Sequence, residues 1–205
     1  MKINIGLLLI IIASSVIGFT GIKLTRSGYE SPEYTSKKHP DGFEIRQYGT
    51  MTVVSTKKSI SKKDDEKDSR FMRLFRYIDK SNTKGEKIAM TTPVFMGMKG
   101  NEGEMSFGLP REIAEQGAPL PSSDLLYIAR IKSGTFAAMR FKGKSWKENI
   151  AAKALQAKIH KAGLNADKNS KPIFAYYDPP WIPIFLRRNE VLIKINSSDF
   201  KTDSN

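Results

Sequence analysis

The alternation of apolar and polar residues predicts short β-strands in the first half of the chain. Residues 43–48 alternate in this way, as expected of a strand with one buried face. Gly49 then marks a turn, and residues 50–56 are rich in the β-branched residues that favour strands. Two further strands are predicted over residues 87–94 and 104–109.

Between the second and third of these strands, the apolar spacing changes to that of a helix. The apolar residues of 65–80 fall on one side of such a helix; they are Phe71, Met72, Leu74, Phe75 and Ile78. Asn82 and Gly85 follow and are expected to end it. This helix is therefore predicted to cover the sheet with its apolar side.

The second half of the chain has the same order of predicted elements. Its strands are expected over residues 124–132, 135–141, 173–177 and 190–195. Ser145 and Glu148 have the spacing of a capping box, S-x-x-E, at the start of a helix that lies between the second and third of these strands. Both halves therefore read as strand-strand-helix-strand-strand.

The two halves align at a constant offset. Gly49-Thr50 and Gly134-Thr135 lie 85 residues apart (134 − 49). We interpret this as an internal duplication, with pseudo-repeats over 43–110 and 124–196. The fold class is expected to be α+β, an eight-stranded barrel-like body with a helix on each side. A cleft between the halves, or between a helix and a sheet edge, is the natural ligand site.

The N-terminal segment differs from the rest of the chain. A lysine precedes a mostly apolar run over residues 3–19 with no polar face. We expect residues 1–22 to form an apolar helix that is either a signal-anchor or a cleaved signal peptide. Residues 23–42 are expected to be an extended lead-in and 197–205 a polar tail. The protein is thus predicted to be membrane-anchored or exported, on the periplasmic side.

Composition narrows the range of functions. The chain carries 34 Lys and Arg against 21 Asp and Glu, a formal net charge of +13, which attracts anionic partners. The basic residues are spread along the chain, which disfavours nucleic acid as a partner. Without cysteine there is no disulfide, thiolate metal site or Cys nucleophile. The motifs of hydrolases, zinc proteases and phosphate-binding loops are missing too, so we expect a binding protein and not an enzyme. We also expect the protein to be a monomer.

Several short motifs, taken in order, resemble one protein family. They are F-E-I-R-Q-Y at 43–48, K-I-A-M-T-T-P-V at 87–94, Y-D-P-P-W at 177–181 and R-R-N-E-V at 187–191. This ordered set, within residues 29–196, is similar to the SOUL haem-binding family. The resemblance implies a distorted antiparallel barrel of two repeated units. It also implies a haem or other porphyrin ligand, held mainly by apolar contacts in a shallow groove.

One residue departs from the family pattern. Some members carry a histidine directly after E-I-R as a proposed axial iron ligand, whereas this chain has Gln47. Glutamine is a poor iron ligand beside imidazole, so we expect groove binding without that ligand. His39 and His160 are expected at or near the surface and make a poor zinc site. The protein is therefore predicted to have no metal site of its own.

Candidate ligand contacts lie on the first predicted helix. Met72 and Phe75 flank its apolar stripe, where they either pack in the core or line a hydrophobic groove. Arg76 follows, and its planar guanidinium suits the geometry of a propionate carboxylate. The alternative for Arg76 is a solvated surface arginine.

The loop over residues 179–188 holds further candidates. Trp181 and Phe185 make it apolar, and Arg187 is one of two arginines that frame it. This loop is interpreted as a plug over the barrel, a lip of the ligand site, or a segment that dips into a bilayer. Glu190 opens the last strand; in the related gyrase-inhibitor-like effector-binding domains an acidic residue there contacts cationic ligands. Its alternative role is an ion pair with a neighbouring arginine.

Together these features predict a binder of haem or another tetrapyrrole that buffers, carries or shields its ligand. The alternative function is promiscuous binding of other amphipathic small molecules, as in the effector-binding domains. Contact with a membrane is expected through the N-terminal segment.

Overall fold

Nine strands and three helices form in the part of the chain that the computed structural model describes, residues 28–56, 69–98, 103–143, 147–179 and 181–196. The strands are β1 Tyr34–His39, β2 Phe43–Tyr48, β3 Met51–Thr56, β4 Val94–Met96, β5 Met105–Gly108, β6 Leu126–Ile131, β7 Gly134–Phe141, β8 Ile173–Tyr176 and β9 Asn189–Ile195. The helices are α1 Arg70–Ile78, α2 Arg111–Glu115 and α3 Glu148–Lys161.

The strands form one antiparallel sheet in the order β1-β2-β7-β9-β8-β4-β5-β3-β6. Among the described residues β1 and β6 are its two edges, so hydrogen bonding does not close the sheet into a barrel. The α+β class is confirmed. The expected eight-stranded barrel is corrected to an open sheet of nine strands.

The additional strand, β1, comes from the segment expected to be an extended lead-in. It pairs with β2 over its whole length, from Tyr34 opposite Tyr48 to His39 opposite Phe43. The turn between them uses Gly42 at φ 80°, a left-handed conformation that glycine adopts without strain. Because the side chains of β1 are almost all exposed, no apolar alternation marks this strand in the sequence.

The two halves of the chain share one sheet by pairing with each other. β2 lies beside β7 of the second half, and β6 of the second half lies beside β3. β4 and β8 join the halves in the middle. Without β1, the strand order read backwards from β6 equals the order read forwards from β2 if each strand is replaced by its counterpart in the other half. The internal duplication itself stays a prediction.

The two longer helices cover one face of the sheet through separate apolar clusters. The buried cluster beneath α3 contains Phe43, Ile45, Ala137, Leu155, Ile159, Val191 and Ile193. The buried cluster beneath α1 contains Val54, Leu74, Tyr77, Ile78, Ile88, Phe107 and Leu126. α1 buries Leu74 and Ile78 of its predicted stripe on the strands it contacts, whereas Phe71 and Phe75 of that stripe stay exposed. α3 buries Leu155 and Ile159 in the same way.

The opposite face of the sheet is also buried. A third cluster contains Tyr48, Phe95, Ala138, Ile173, Ala175 and Leu192. Its residues alternate along the strands with those beneath the helices; Leu192 of β9, for example, lies between Val191 and Ile193. No described helix contributes to this cluster, so this face is free to form a cleft.

Some local predictions change in the structure. The strand predicted over 87–94 is replaced by β4, Val94–Met96, and Pro93 before it has no N–H to donate to a neighbouring strand. The short helix α2 has no counterpart in the sequence pattern. Ser145 of the predicted capping box lies outside the described residues, while the Glu148 carboxylate accepts a hydrogen bond from the Tyr176 hydroxyl.

The predicted apolar helix over 1–22 and the polar tail over 197–205 lie outside the described residues, and they stay predictions. Within the described ranges, no helix has both the length and the apolar character needed to span a bilayer.

Candidate functional site

The exposed side of α1 carries two aromatic rings. Phe71 and Phe75 are 39% and 41% exposed. Their rings are nearly parallel, with centroids 6.4 Å apart and an interplanar angle of 14°. Phe71 also packs against Phe107 of β5 in a T-shaped contact, with ring centroids 5.3 Å apart. The pair therefore forms an apolar surface whose position is fixed by the core beneath it.

Phe75 and Arg76, two of the predicted contacts on α1, are exposed, while the third, Met72, is half-buried. Phe71 belongs to the predicted apolar stripe of this helix, and no role in binding was predicted for it. Its i, i+4 spacing from Phe75 is the signal that identifies the pair, because residues four apart are neighbours on a helix surface. These four residues form the first candidate surface.

Glu190 of β9 is fully buried and bound to several cations. Its carboxylate accepts hydrogen bonds from Arg46 Nη1 at 2.6 Å and from Arg188 Nη2 at 2.9 Å. The Tyr177 hydroxyl donates a further bond at 3.0 Å. Burial acts to raise the pKa of Glu190, but its hydrogen bonds to Arg46 and the charges of both arginines outweigh burial and lower the pKa to about 2.

This network changes the interpretation of Glu190. The predicted ion pair with a neighbouring arginine is present through Arg188, whereas its main partner, Arg46, is distant in sequence and was not expected. Arg46 also donates to the Tyr48 hydroxyl at 3.2 Å. Burial is the main cause that raises the pKa of Tyr48 to about 12, so this hydroxyl stays protonated. Glu190 is thus a neutralised internal anion rather than an open cation site.

The predicted loop residues project away from the core. Trp181 and Phe185 are 76% and 68% exposed, while Ile182 between them is buried. Arg187 Nε donates to the Ile182 carbonyl at 2.7 Å, so this arginine holds the loop together. Neither exposed ring plugs the sheet, which leaves the lip and the bilayer-contact interpretations. The loop joins β8 to β9, whereas α1 packs on β3 and β5, so these candidates form a separate group.

A cleft that the sequence analysis did not locate lies on the face opposite the helices, and we call it the central cleft. Its volume is about 290 Å³. The residues around it are Tyr48, Met51, Phe95, Met98, Ile131, Lys132, Phe136, Asp167, Asn169, Ser170, Lys171, Ile173, Leu192 and Lys194. They come from strands and loops of both halves, so no local motif identifies them. A smaller recess of about 90 Å³ shares Tyr48 and Phe95 with it and reaches Arg188.

The side chains considered as iron ligands, Gln47 and His39, contact other groups of the protein. Gln47 Oε1 accepts a hydrogen bond from the Thr135 hydroxyl. The His39 ring stacks on Phe43 with centroids 4.4 Å apart, and its Nδ1 accepts a hydrogen bond from the Asp41 backbone N–H. Over the described part of the chain, no three His, Cys, Asp or Glu side chains are grouped to hold a metal.

Comparison with known proteins identifies relatives of the whole described domain. A family model described as SOUL heme-binding protein matches residues 29–194. A protein named Heme-binding protein 1 from Sus scrofa is 28% identical over 126 residues, which are 58% of this chain and 66% of that protein. The protein of the same name from Xenopus tropicalis is 28% identical over 165 residues, 76% of this chain and 86% of that protein.

Solved structures share the fold at low identity. The EcmrR C-terminal domain has a TM-score of 0.53 at 13% identity and covers 80% of this chain and 98% of its own. A Listeria innocua protein described as a hydrolase has a TM-score of 0.51 at 10% identity and covers 85% of this chain and 96% of its own. At such identities the likeness concerns the fold alone.

Proposed function

Because the chain belongs to the SOUL haem-binding family, whose model matches residues 29–194, we propose that it binds haem or a related tetrapyrrole. Its role is to buffer, carry or shield that ligand, and we expect no catalysis. The relatives named Heme-binding protein 1 support binding as the activity. The hydrolase description of one structural neighbour does not bear on this, since only its fold is shared.

The observation that carries the proposed site is the parallel, exposed pair of Phe71 and Phe75 on α1. A flat macrocycle laid on this surface covers both rings and Met72, and removing apolar area from water stabilises the complex by about 25 cal/mol per Å². Arg76 follows Phe75 in the chain and is exposed, so its guanidinium can pair with a propionate. We expect micromolar or weaker affinity, because Gln47 supplies no strong iron ligand.

A haemin titration of the full chain, followed by the Soret band, tests the proposal. The double variant Phe71→Ala/Phe75→Ala is expected to weaken haemin binding by about tenfold or more, since both rings lose their contact with the macrocycle. Arg76→Gln is expected to weaken it less, because only the propionate contact changes. The matched control is Ile150→Ala, which removes an exposed apolar side chain from α3.

Two outcomes contradict this site. One is a Soret band that does not change at tens of micromolar haemin. The other is a double phenylalanine variant that binds like the unaltered chain. For Trp181, Phe185, Arg187 and Glu190, contact with the same ligand stays a prediction. Membrane anchoring through residues 1–22, with the domain on the periplasmic side, likewise remains part of the proposal.

A further inference from the structure

The central cleft has an apolar floor. Three of its floor side chains, Tyr48, Phe95 and Leu192, are nearly fully buried and belong to the third apolar cluster. Met51 and Met98 pack beside them and also line the cleft. Methionine is flexible and polarisable, so these walls adapt to ligands of different outline. The floor therefore suits a hydrocarbon body without demanding one shape.

The rim of the same cleft is basic. Lys132 and Lys171 are exposed and Lys194 is half-buried at its edge. Among the described residues, one carboxylate lines the cleft, that of Asp167, and it lies 3.5 Å from Lys194 Nζ. In this part of the chain three ammonium groups thus meet one carboxylate, and the excess of positive charge favours an anionic head group at the entrance.

The charged groups behind the Tyr48 wall do not reverse this preference. Glu190 is balanced by Arg46 and Arg188, and Arg140 Nε lies 3.5 Å from its carboxylate as a third cation. Arg46 also pairs with Glu44, at 2.8 Å. Two carboxylates therefore face three guanidinium groups. A cationic ligand would meet positive charge at the rim and a compensated anion beside the floor.

We propose that the central cleft binds an amphipathic anion, a single acyl chain with a carboxylate head group. The chain lies on the apolar floor, and Lys132 and Lys171 neutralise the head group at the rim. A volume of about 290 Å³ is at the lower end of the roughly 300–1,000 Å³ of small-molecule sites, which suits one medium-length chain. No residue of α1 lines this cleft, so the site is distinct from the proposed haem surface and goes beyond it.

The charge preference is tested with ligands of equal chain length. The full chain is titrated calorimetrically with dodecanoate and with dodecyltrimethylammonium, each below its micelle concentration. Dodecanoate is expected to bind at least about tenfold more tightly. Charge reversal in Lys132→Glu/Lys171→Glu is expected to abolish or invert the ratio of the two affinities. The control Lys38→Glu/Lys153→Glu makes an equal charge change at exposed positions outside the cleft and is expected to leave the ratio unchanged.

The location is tested without any variant. In the full chain with ¹³C-labelled methionine methyl groups, dodecanoate is expected to shift the signals of Met51 and Met98. The signals of Met72 on α1 and Met139 beneath α3 serve as internal references and are expected to stay in place. Met51→Trp, which fills the cleft, is expected to remove dodecanoate binding, with thermal unfolding as the check that the variant folds.

The proposal is overturned if the cation binds as tightly as dodecanoate, or if the signals of Met51 and Met98 do not move at saturation. Its outcome is separable from that of haem binding. Phe71→Ala/Phe75→Ala is expected to keep the dodecanoate affinity, and Lys132→Glu/Lys171→Glu is expected to keep the haemin affinity. Loss of both affinities in either double variant contradicts two separate sites.

Discussion

At the residue scale, the buried pair of Arg46 and Glu190 is the most consequential feature of the sheet interior. The two residues lie on β2 and β9, on either side of β7. The register places the small residue Ala138 of β7 between them, which leaves room for the long arginine side chain. Such a pair contributes little compared with an apolar pair of equal size, but each charge depends on its partner. The pair therefore constrains how three strands sit together.

Arg46→Met is expected to destabilise the domain by about 3 kcal/mol, because Glu190 then remains buried with only part of its compensation. Urea denaturation measures the change in the free energy of unfolding. The matched control is Arg111→Met, which breaks an exposed i, i+4 pair with Glu115 and should change stability by under about 1 kcal/mol. Equal effects of both variants would contradict a structural role for the buried pair.

The lowered pKa of Glu190 predicts a pH dependence of stability. Its pKa falls from 4.5 to about 2 on folding, so the unfolded chain takes up a proton first as the pH drops. The stabilisation is therefore complete above pH 4.5 and is lost as the pH falls towards 2. Glu190→Gln is less stable at neutral pH, and its stability should fall less steeply across this range in urea titrations. A parallel decline in both proteins would exclude Glu190 as the titrating group.

At the scale of the elements, the edge strand β1 shows which elements apolar periodicity predicts and which it does not. The strands and helices with one buried face, such as β2 and α1, follow from apolar periodicity. β1 has no such face, and it forms because its backbone pairs with β2 and closes a tight turn. β4 is short and lies next to Pro93, where apolar content alone predicts a longer strand.

β1 is expected to exchange its amide hydrogens faster than any other long strand. It is bonded on one side only and its side chains bury little area, whereas β9 lies between β7 and β8. Hydrogen–deuterium exchange of the full chain measures this, with β9 as the protected reference. Protection of β1 equal to that of β9 would contradict a weakly held edge and would indicate a partner that covers it.

At the scale of the whole molecule, strands of both halves pair in one sheet, and this sheet has two buried faces. One face is closed by α1 and α3, and the other holds the central cleft. The chain has a net charge of +13, and three of its lysines, Lys132, Lys171 and Lys194, line this cleft around its apolar floor. The proposed haem surface on α1 and the proposed anion site are thus separated by the sheet itself.

The sequence by itself determined the family, the α+β class, most strands and the helix that carries Phe71 and Phe75. These follow from local motifs and apolar periodicity, which act over a few residues. Only the tertiary structure decided that the sheet is open, that Arg46 neutralises Glu190, and that Lys132, Lys171 and Lys194 share one rim. Those outcomes depend on strand pairing between residues far apart in the chain, and no short-range pattern encodes which strands become neighbours.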